Sequence, residues 1–278
     1  MGNELIQPFV KWVGGKRQLI TKIDELAPRK GSYARYYEPF LGGGAVLFNT
    51  QPNRATVNDF NEELINVYLT IKNNVDELIL DLQNHENNEG YFYEMRGQDR
   101  KESYKEWSNI RKASRFIYLN KTCYNGLYRV NSQGFFNSPF GKYKNPNIVN
   151  EFVLKHVSNY LNKNDIKFIS GDYEKSLKGI RKNSFVYFDP PYAPVSQTSN
   201  FTGYTLGGFN EDEQIRLKKV CDKLDKKGVK FLLSNSNVPL ITELYKDYEI
   251  NVVDAKRSIN SDADKRGSVE EVLIRNYN

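Results

Sequence analysis

Residues 185–188 read Phe-Val-Tyr-Phe and run directly into Asp189-Pro190-Pro191-Tyr192. Four aromatic or β-branched residues between polar flanks suit a short strand buried on both faces, and strands of that kind belong to parallel sheets covered by helices. The prolines end it. Each lacks an N–H and forces the residue before it into extended backbone, so Asp189 falls at the carboxyl end of the strand with the Pro190 carbonyl outside the ladder. In open α/β sheets that edge is where ligands bind. Asp189 and the Pro190 carbonyl are two acceptors for the two hydrogens of an exocyclic amine, and Tyr192 offers a face for a flat base. The chemistry implied is attack by a planar amino nitrogen. An aspartate and two prolines that merely end a strand fit the same four residues, so the rest of the chain has to decide.

Around this strand the pattern alternates. Strands are expected over 33–38, 55–58, 167–170, 184–188, 229–233, 248–253 and 269–276, and helices over 17–26, 62–71 and 211–225. The expected fold class is therefore α/β, with a Rossmann-like, mostly parallel sheet. Residues 60–164 break the alternation with charged, helix-like segments at 75–82 and 105–119. Gly126-Leu127-Tyr128-Arg129-Val130 to Phe136-Asn137 then reads as a β-hairpin turning near Gln133-Gly134. A stretch this long is no ordinary crossover, so 60–164 is expected to be an inserted helical and hairpin domain, and 1–59 with 165–278 the sheet domain. Two polar, glycine-containing stretches, 196–208 and 258–267, are expected to be mobile loops beside the site.

Composition narrows the classes. The chain has 278 residues, enough for one large domain carrying a smaller one, and 40 Lys+Arg against 34 Asp+Glu give a net charge of +6, which mildly favours an anionic partner such as nucleic acid. Aromatic residues make up 13% of the chain, and such rings stack on extruded bases. Cys123 and Cys221 lie far apart without metal-ligand spacing, and His85 and His156 read as surface histidines, so neither a disulfide framework nor a metal site is expected. No apolar run approaches the roughly 20 residues that span a membrane. The first residues lack the order of a signal peptide, and Ile6 stands where a myristoylation pattern needs Ser or Thr. A cytoplasmic protein is expected.

Two glycine loops separate the cofactor classes. Phe40-Leu41-Gly42-Gly43-Gly44 follows a strand and precedes a helix, but Leu47 stands where the dinucleotide fingerprint needs its last glycine. Gly14-Gly15-Lys16 lacks the first glycine of a P-loop, whose place is Val10, and its Ser/Thr, whose place is Arg17. Hydride chemistry and nucleoside triphosphates are disfavoured. A ligand without a pyrophosphate but needing close backbone approach remains, and S-adenosylmethionine fits. Asp59 ends the second strand, about twenty residues past the loop, where an acidic residue bonds ribose hydroxyls; capping the helix that follows is its structural alternative. Asp172 ends a later strand, where it could meet an adenine amine or be an ordinary loop aspartate.

Lys11-Trp12-Val13-Gly14-Gly15-Lys16, Glu38-Pro39-Phe40-Leu41-Gly42-Gly43-Gly44, Asn125-Gly126-Leu127-Tyr128-Arg129, Asn137-Ser138-Pro139-Phe140-Gly141-Lys142-Tyr143 and Asp189-Pro190-Pro191-Tyr192 occur in this order over nearly the whole chain. Together they resemble the DNA adenine methylase (Dam) family, of the α group of DNA amino-methyltransferases. The resemblance implies methyl transfer from S-adenosylmethionine, without a metal, to N6 of a flipped adenine, in GATC of double-stranded DNA. It implies that 60–164 is the target-recognition domain and that a companion restriction endonuclease can be a partner. Trp12, Lys16, Phe40, Gly42, Gly44, Asp59, Asp172 and Asp189 are expected to hold the cofactor, and Asp189, Pro190 and Tyr192 to carry the chemistry. Tyr124 and Asn125 match residues that wedge or stabilise the duplex, while Lys11, Leu127, Arg129 and Pro139 match readers of base edges. Tyr128 departs from a branch in which cysteine is common.

The physics of the residues agrees with those roles. An arginine held on a hairpin can donate two hydrogen bonds to guanine, a contact worth about 1–3 kcal/mol of discrimination. Lys142 and Lys144 suit phosphates, or simply a solvated face. A DNA-binding module without catalysis, or a methyltransferase acting on RNA or a protein amide, remains an alternative.

Overall fold

The computed structural model describes residues 6–194, 209–256 and 268–278. Within them lie seven strands: β1 Tyr36–Glu38, β2 Arg54–Asp59, β3 Asp165–Ser170, β4 Phe185–Phe188, β5 Lys230–Ser236, β6 Glu249–Lys256 and β7 Ser268–Arg275. The α-helices are α1 Ile20–Leu26, α2 Ala45–Thr50, α3 Glu62–Asn73, α4 Val75–Leu82, α5 Glu89–Gly97, α6 Asn109–Thr122, α7 Glu151–Lys163, α8 Glu174–Leu177, α9 Glu211–Lys226 and α10 Pro239–Leu244. Among the described residues no helix is long and apolar enough to cross a membrane. The stretches 196–208 and 258–267, expected to be mobile loops, lie outside the described residues.

The chain divides into two compact units, residues 1–15, 42–53 and 59–171 in one and 16–41, 54–58 and 172–278 in the other. The second is the sheet unit, with strands ordered β2-β1-β4-β5-β7-β6. Its pairings from β2 through β5 are parallel, and β7 runs antiparallel to both β5 and β6. This is the mostly parallel α/β sheet that the alternation of elements predicts. All four residues of β4 are buried, which the unbroken apolar run requires. Each such side chain contributes roughly 1.5–3 kcal/mol on burial, enough together to hold the strand end that carries Asp189 in place. One face of the sheet packs Val186, Phe188, Phe231 and Leu233 with Leu217, Val220, Cys221 and Leu224 of α9. That helix begins where Asn210 accepts a hydrogen bond from the Glu213 N–H, and Glu211, Asp212 and Glu213 complement its dipole.

The other unit is mainly helical, with α3 and α4 each packed against both α6 and α7, and β3 against α3 and α7. Side-chain caps set the starts of α3, α5, α6 and α7, from Asn61, Asn88, Ser108 and Asn150. Its core includes a charged side chain, Arg115, 1% exposed, which pairs with Asp99 at 3.0 Å and donates to the Met95 and Arg96 carbonyls. A buried guanidinium this fully bonded is tolerated where an unpaired one is not.

Several boundaries differ from expectation. The first helix begins at Ile20, because Lys16–Gln18 forms a tighter 3-10 turn. The helix expected over 105–119 starts at Asn109, after the Ser108 cap, and runs to Thr122. The turn near Gln133-Gly134 exists, but it pairs through one bridge, Val130 to Phe136, instead of a ladder. Asn131 supports it locally, its Oδ1 accepting from the Gln133 and Phe135 N–H groups. His85 is not a simple surface histidine: its ring stacks on Tyr118 with centroids 4.3 Å apart and hydrogen-bonds Tyr91 and Ser114. Burial lowers its pKa from 6.5 to about 4, so the ring is neutral in the folded protein near neutral pH.

Candidate active site

The corner at the end of β4 is assembled wholly within the sheet unit. Asp189 Oδ1 receives the Lys16 ammonium at 3.0 Å and the Ser234 hydroxyl at 3.0 Å. Lys16 is only 6% exposed, so its charge is matched where water cannot reach it. Both contacts fall on the same oxygen. Among the described residues Asp189 Oδ2 has no protein partner, and the Pro190 carbonyl accepts no hydrogen bond, whereas the Pro191 carbonyl is taken by Gln214 at 3.0 Å. Burial raises the Asp189 carboxyl above its ordinary 3.8, against the downward pull of Lys16 and Ser234. The ring of Tyr192 has the Lys16 ammonium 4.6 Å from its centroid, and its hydroxyl donates to Glu271 Oε2 at 2.7 Å.

Ser234 and Glu271 are contributors that sequence reasoning did not find. Ser234 belongs to a polar triplet, Ser234-Asn235-Ser236, fully buried at the end of β5. Its hydroxyl also meets the Tyr187 hydroxyl at 3.1 Å. Asn235 fixes the chain after the motif, its Oδ1 accepting from the Ala193 N–H at 3.0 Å. Polar side chains where a strand should be apolar were the available signal.

Phe40, Asp172 and Tyr173 lie in the same unit. The Phe40 and Tyr173 rings are 5.1 Å apart, and Asp172 is held bidentately by Arg216, both bonds 2.8 Å. The Tyr173 hydroxyl is buried without a hydrogen-bond partner among the described residues.

The remaining expected cofactor residues lie in the helical unit. Trp12 stands against the glycine loop: a Cβ on Gly42, whose φ is +50°, comes within 2.7 Å of the indole. At Gly44, φ +71°, a Cβ meets the Tyr68 hydroxyl at 2.6 Å. Both glycines are thus required by backbone conformation and by protein neighbours, before any ligand is considered. Asp59 accepts the Gly42 N–H at 2.8 Å and the Asn61 N–H at 2.9 Å, while Asn61 itself caps α3. The capping alternative for Asp59 therefore falls to its neighbour, and Asp59 instead tethers the loop.

The expected DNA-binding residues form one cluster in this unit. Asn120, fully buried, accepts from the Lys11 N–H and donates to the Lys11 and Gly126 carbonyls. The Tyr124 N–H donates to the Pro139 carbonyl at 2.9 Å, and the Asn125 N–H to the Tyr143 hydroxyl at 3.0 Å. Asn125 holds a left-handed φ of 55°, which asparagine tolerates better than most residues. Tyr124 is 57% exposed, an unusual state for a large ring. The Arg129 Nε donates to Asn137 Oδ1 at 2.8 Å, which orients the exposed guanidinium. Leu127 is partly exposed and accepts from the Ser138 hydroxyl.

A mostly parallel sheet with a carboxylate and two prolines closing a central strand, on a chain that also carries a tethered glycine loop, has the organisation of a methyltransferase core. Residues 12–259 match the family model described as D12 class N6 adenine-specific DNA methyltransferase. The chain is 46% identical over 274 residues to the type II methyltransferase M1.LlaDCHI of Lactococcus lactis subsp. cremoris, covering 98% of this chain and 96% of the relative. It is 44% identical to the type II methyltransferase M.MjaIII of Methanocaldococcus jannaschii, over 98% and 99% of the two chains. With the DNA adenine methylase of Escherichia coli (strain K12) it shares 36% identity, over 95% and 93%. The chain belongs to the D12 class of N6 adenine-specific DNA methyltransferases.

Proposed function

We propose that the protein methylates N6 of an adenine flipped out of double-stranded DNA, within GATC, through Asp189, Pro190 and Tyr192. The observation that carries this reading is the division of labour at Asp189: Oδ1 is held by Lys16 and Ser234, while Oδ2 and the Pro190 carbonyl have no protein partner among the described residues. Two acceptors at one strand end match the two hydrogens of an exocyclic amine. The N6 lone pair is delocalised into the ring, and hydrogen bonds from both N–H groups favour a more tetrahedral, more nucleophilic nitrogen. Tyr192 recovers by stacking part of the few kcal/mol that flipping costs. Catalysis is then mostly positioning and electrostatics.

S-adenosylmethionine supplies an electrophilic methyl on a sulfonium leaving group, so the transfer is direct, with no covalent enzyme intermediate and no requirement for a metal. The residues present fit it. The unsatisfied Tyr173 hydroxyl, the Phe40 ring and the half-exposed Asp172 carboxylate offer an aromatic and polar surface for the adenine portion. Trp12, Gly42, Gly44 and the tethered Asp59 are assigned to the methionine and ribose portions, and Lys16 and Asp189 to the neighbourhood of the reacting methyl. Residues 60–164 are assigned to target recognition and 1–59 with 165–278 to catalysis. Lys11, Leu127, Arg129 and Pro139 are the base readers, and Tyr124 with Asn125 supports the opened duplex.

The GATC assignment is supported by the relatives named DNA adenine methylase, and a companion restriction endonuclease by those with the type II designation. Plasmid treated with the purified protein should resist a methyl-sensitive GATC nuclease and be cut by a methyl-dependent one. Methyl incorporation with the opposite digestion pattern would place the target in another sequence. Parallel incorporation assays on duplex DNA, RNA and protein should show transfer to duplex DNA alone.

A further inference from the structure

We propose that Glu271 is a positioning residue of the reaction, setting the plane of the Tyr192 ring on which the target base stacks. The inference rests on the reading of Asp189 to Tyr192 as the amine-binding corner, and it adds a carboxylate from a different strand.

Tyr192 lies beyond the last residue of β4, after two prolines, so no ladder holds it. Its ring is held at two points. The phenol hydroxyl donates to Glu271 Oε2 at 2.7 Å, and the Lys16 ammonium lies 4.6 Å from the ring centroid. Among the described residues no other aromatic ring packs on Tyr192. Lys16 cannot set the plane alone, because a compact ammonium on a flexible stem attracts a ring face without fixing its tilt. The phenol bond supplies the missing restraint. A hydrogen bond to a carboxylate is about twice as strong as one between neutral groups.

Glu271 is well placed to act as a fixed point. Its strand, β7, is paired on both sides, and Glu271 is in register with Ser236 of β5 and Val253 of β6. The two residues that follow it, Val272 and Leu273, are fully buried. The charged and titratable groups bearing on this corner are Lys16, Tyr187, Asp189, Tyr192 and Glu271. Burial, Asp189 and Glu271 together hold the Tyr192 phenol well above its ordinary 10.0, so it remains a donor to Glu271 throughout the working range of pH. Its role is orientation and not proton removal.

The test is a double-mutant cycle on single-turnover methyl transfer, with S-adenosylmethionine affinity and thermal unfolding followed for every variant. E271A and Y192F should each lower the saturating rate about tenfold, the worth of one charge-assisted hydrogen bond. S-adenosylmethionine affinity should stay near wild type, and the double variant should be no slower than the slower single one. E271Q keeps a weaker acceptor in the same shape and should recover most of the rate. An E271A rate equal to wild type, or losses that multiply in the double variant, would overturn the proposal. Y192A at the wild-type rate would instead remove the amine-binding corner itself, a failure distinct from a Glu271 that has no effect on a working Tyr192.

Discussion

Asp189→Ala should abolish methyl transfer, with the single-turnover rate falling about 10³-fold or more while S-adenosylmethionine still binds close to the wild-type level. The magnitude follows from what the carboxylate does. Removing one preorganised hydrogen-bonding group aimed at a reacting centre costs about 10² to 10³ in rate, and Asp189 contributes both the acceptor and the anion that holds Lys16. The substitution also removes the 3.0 Å ion pair of the buried Lys16 ammonium, which carries a folding cost of up to about 3 kcal/mol given the partial exposure of Asp189. Asp189→Asn, which preserves the shape, separates the two effects. It should restore much of the stability and little of the rate, as read by thermal unfolding and methyl incorporation on one preparation.

Arg129→Ala should slow methylation of the cognate duplex by about 10- to 100-fold, and slow a duplex with one altered guanine far less. Loss of a two-bond contact to a base edge is worth about 1–3 kcal/mol at the matched base and nothing at a base it never fitted. The arginine is oriented by Asn137 through its Nε, so Asn137→Ala should act in the same direction and more weakly. Equal losses on both duplexes would mark Arg129 as a phosphate contact that supplies affinity alone.

The parts of this site legible in the sequence are those whose cause is local. Phe185 to Phe188 could be read as a doubly buried strand because four adjacent residues carry the signal, and the prolines after Asp189 define a strand end by covalent geometry. The glycines at 42 and 44 were visible as residues needing special backbone, but the neighbours that demand them, Trp12 and Tyr68, come from elsewhere in the chain. Asp59 shows how a local rule misleads: it has the composition of a helix cap, and Asn61 takes that role because it stands immediately before α3. His85 looked exposed among polar neighbours, and only its contact with α6, 29 residues away at Ser114, reveals the packing. Ser234 and Glu271 are 45 and 79 residues from the groups they bond, so no spacing rule reaches them. What could have pointed to Ser234 is energetic: Ser-Asn-Ser at the end of an apolar strand leaves polar groups that must find partners, and a strand-end site is where they find them.

The central claim is that Asp189 Oδ2 and the Pro190 carbonyl receive the two hydrogens of the target amine. A crystal structure of the protein with a GATC duplex and a non-reactive S-adenosylmethionine analogue tests it most directly. The target adenine should lie outside the helix, its N6 within about 2.7–3.2 Å of both oxygens, with its ring against Tyr192. An adenine still paired in the duplex, or a flipped one whose N6 bonds neither oxygen, would contradict the account.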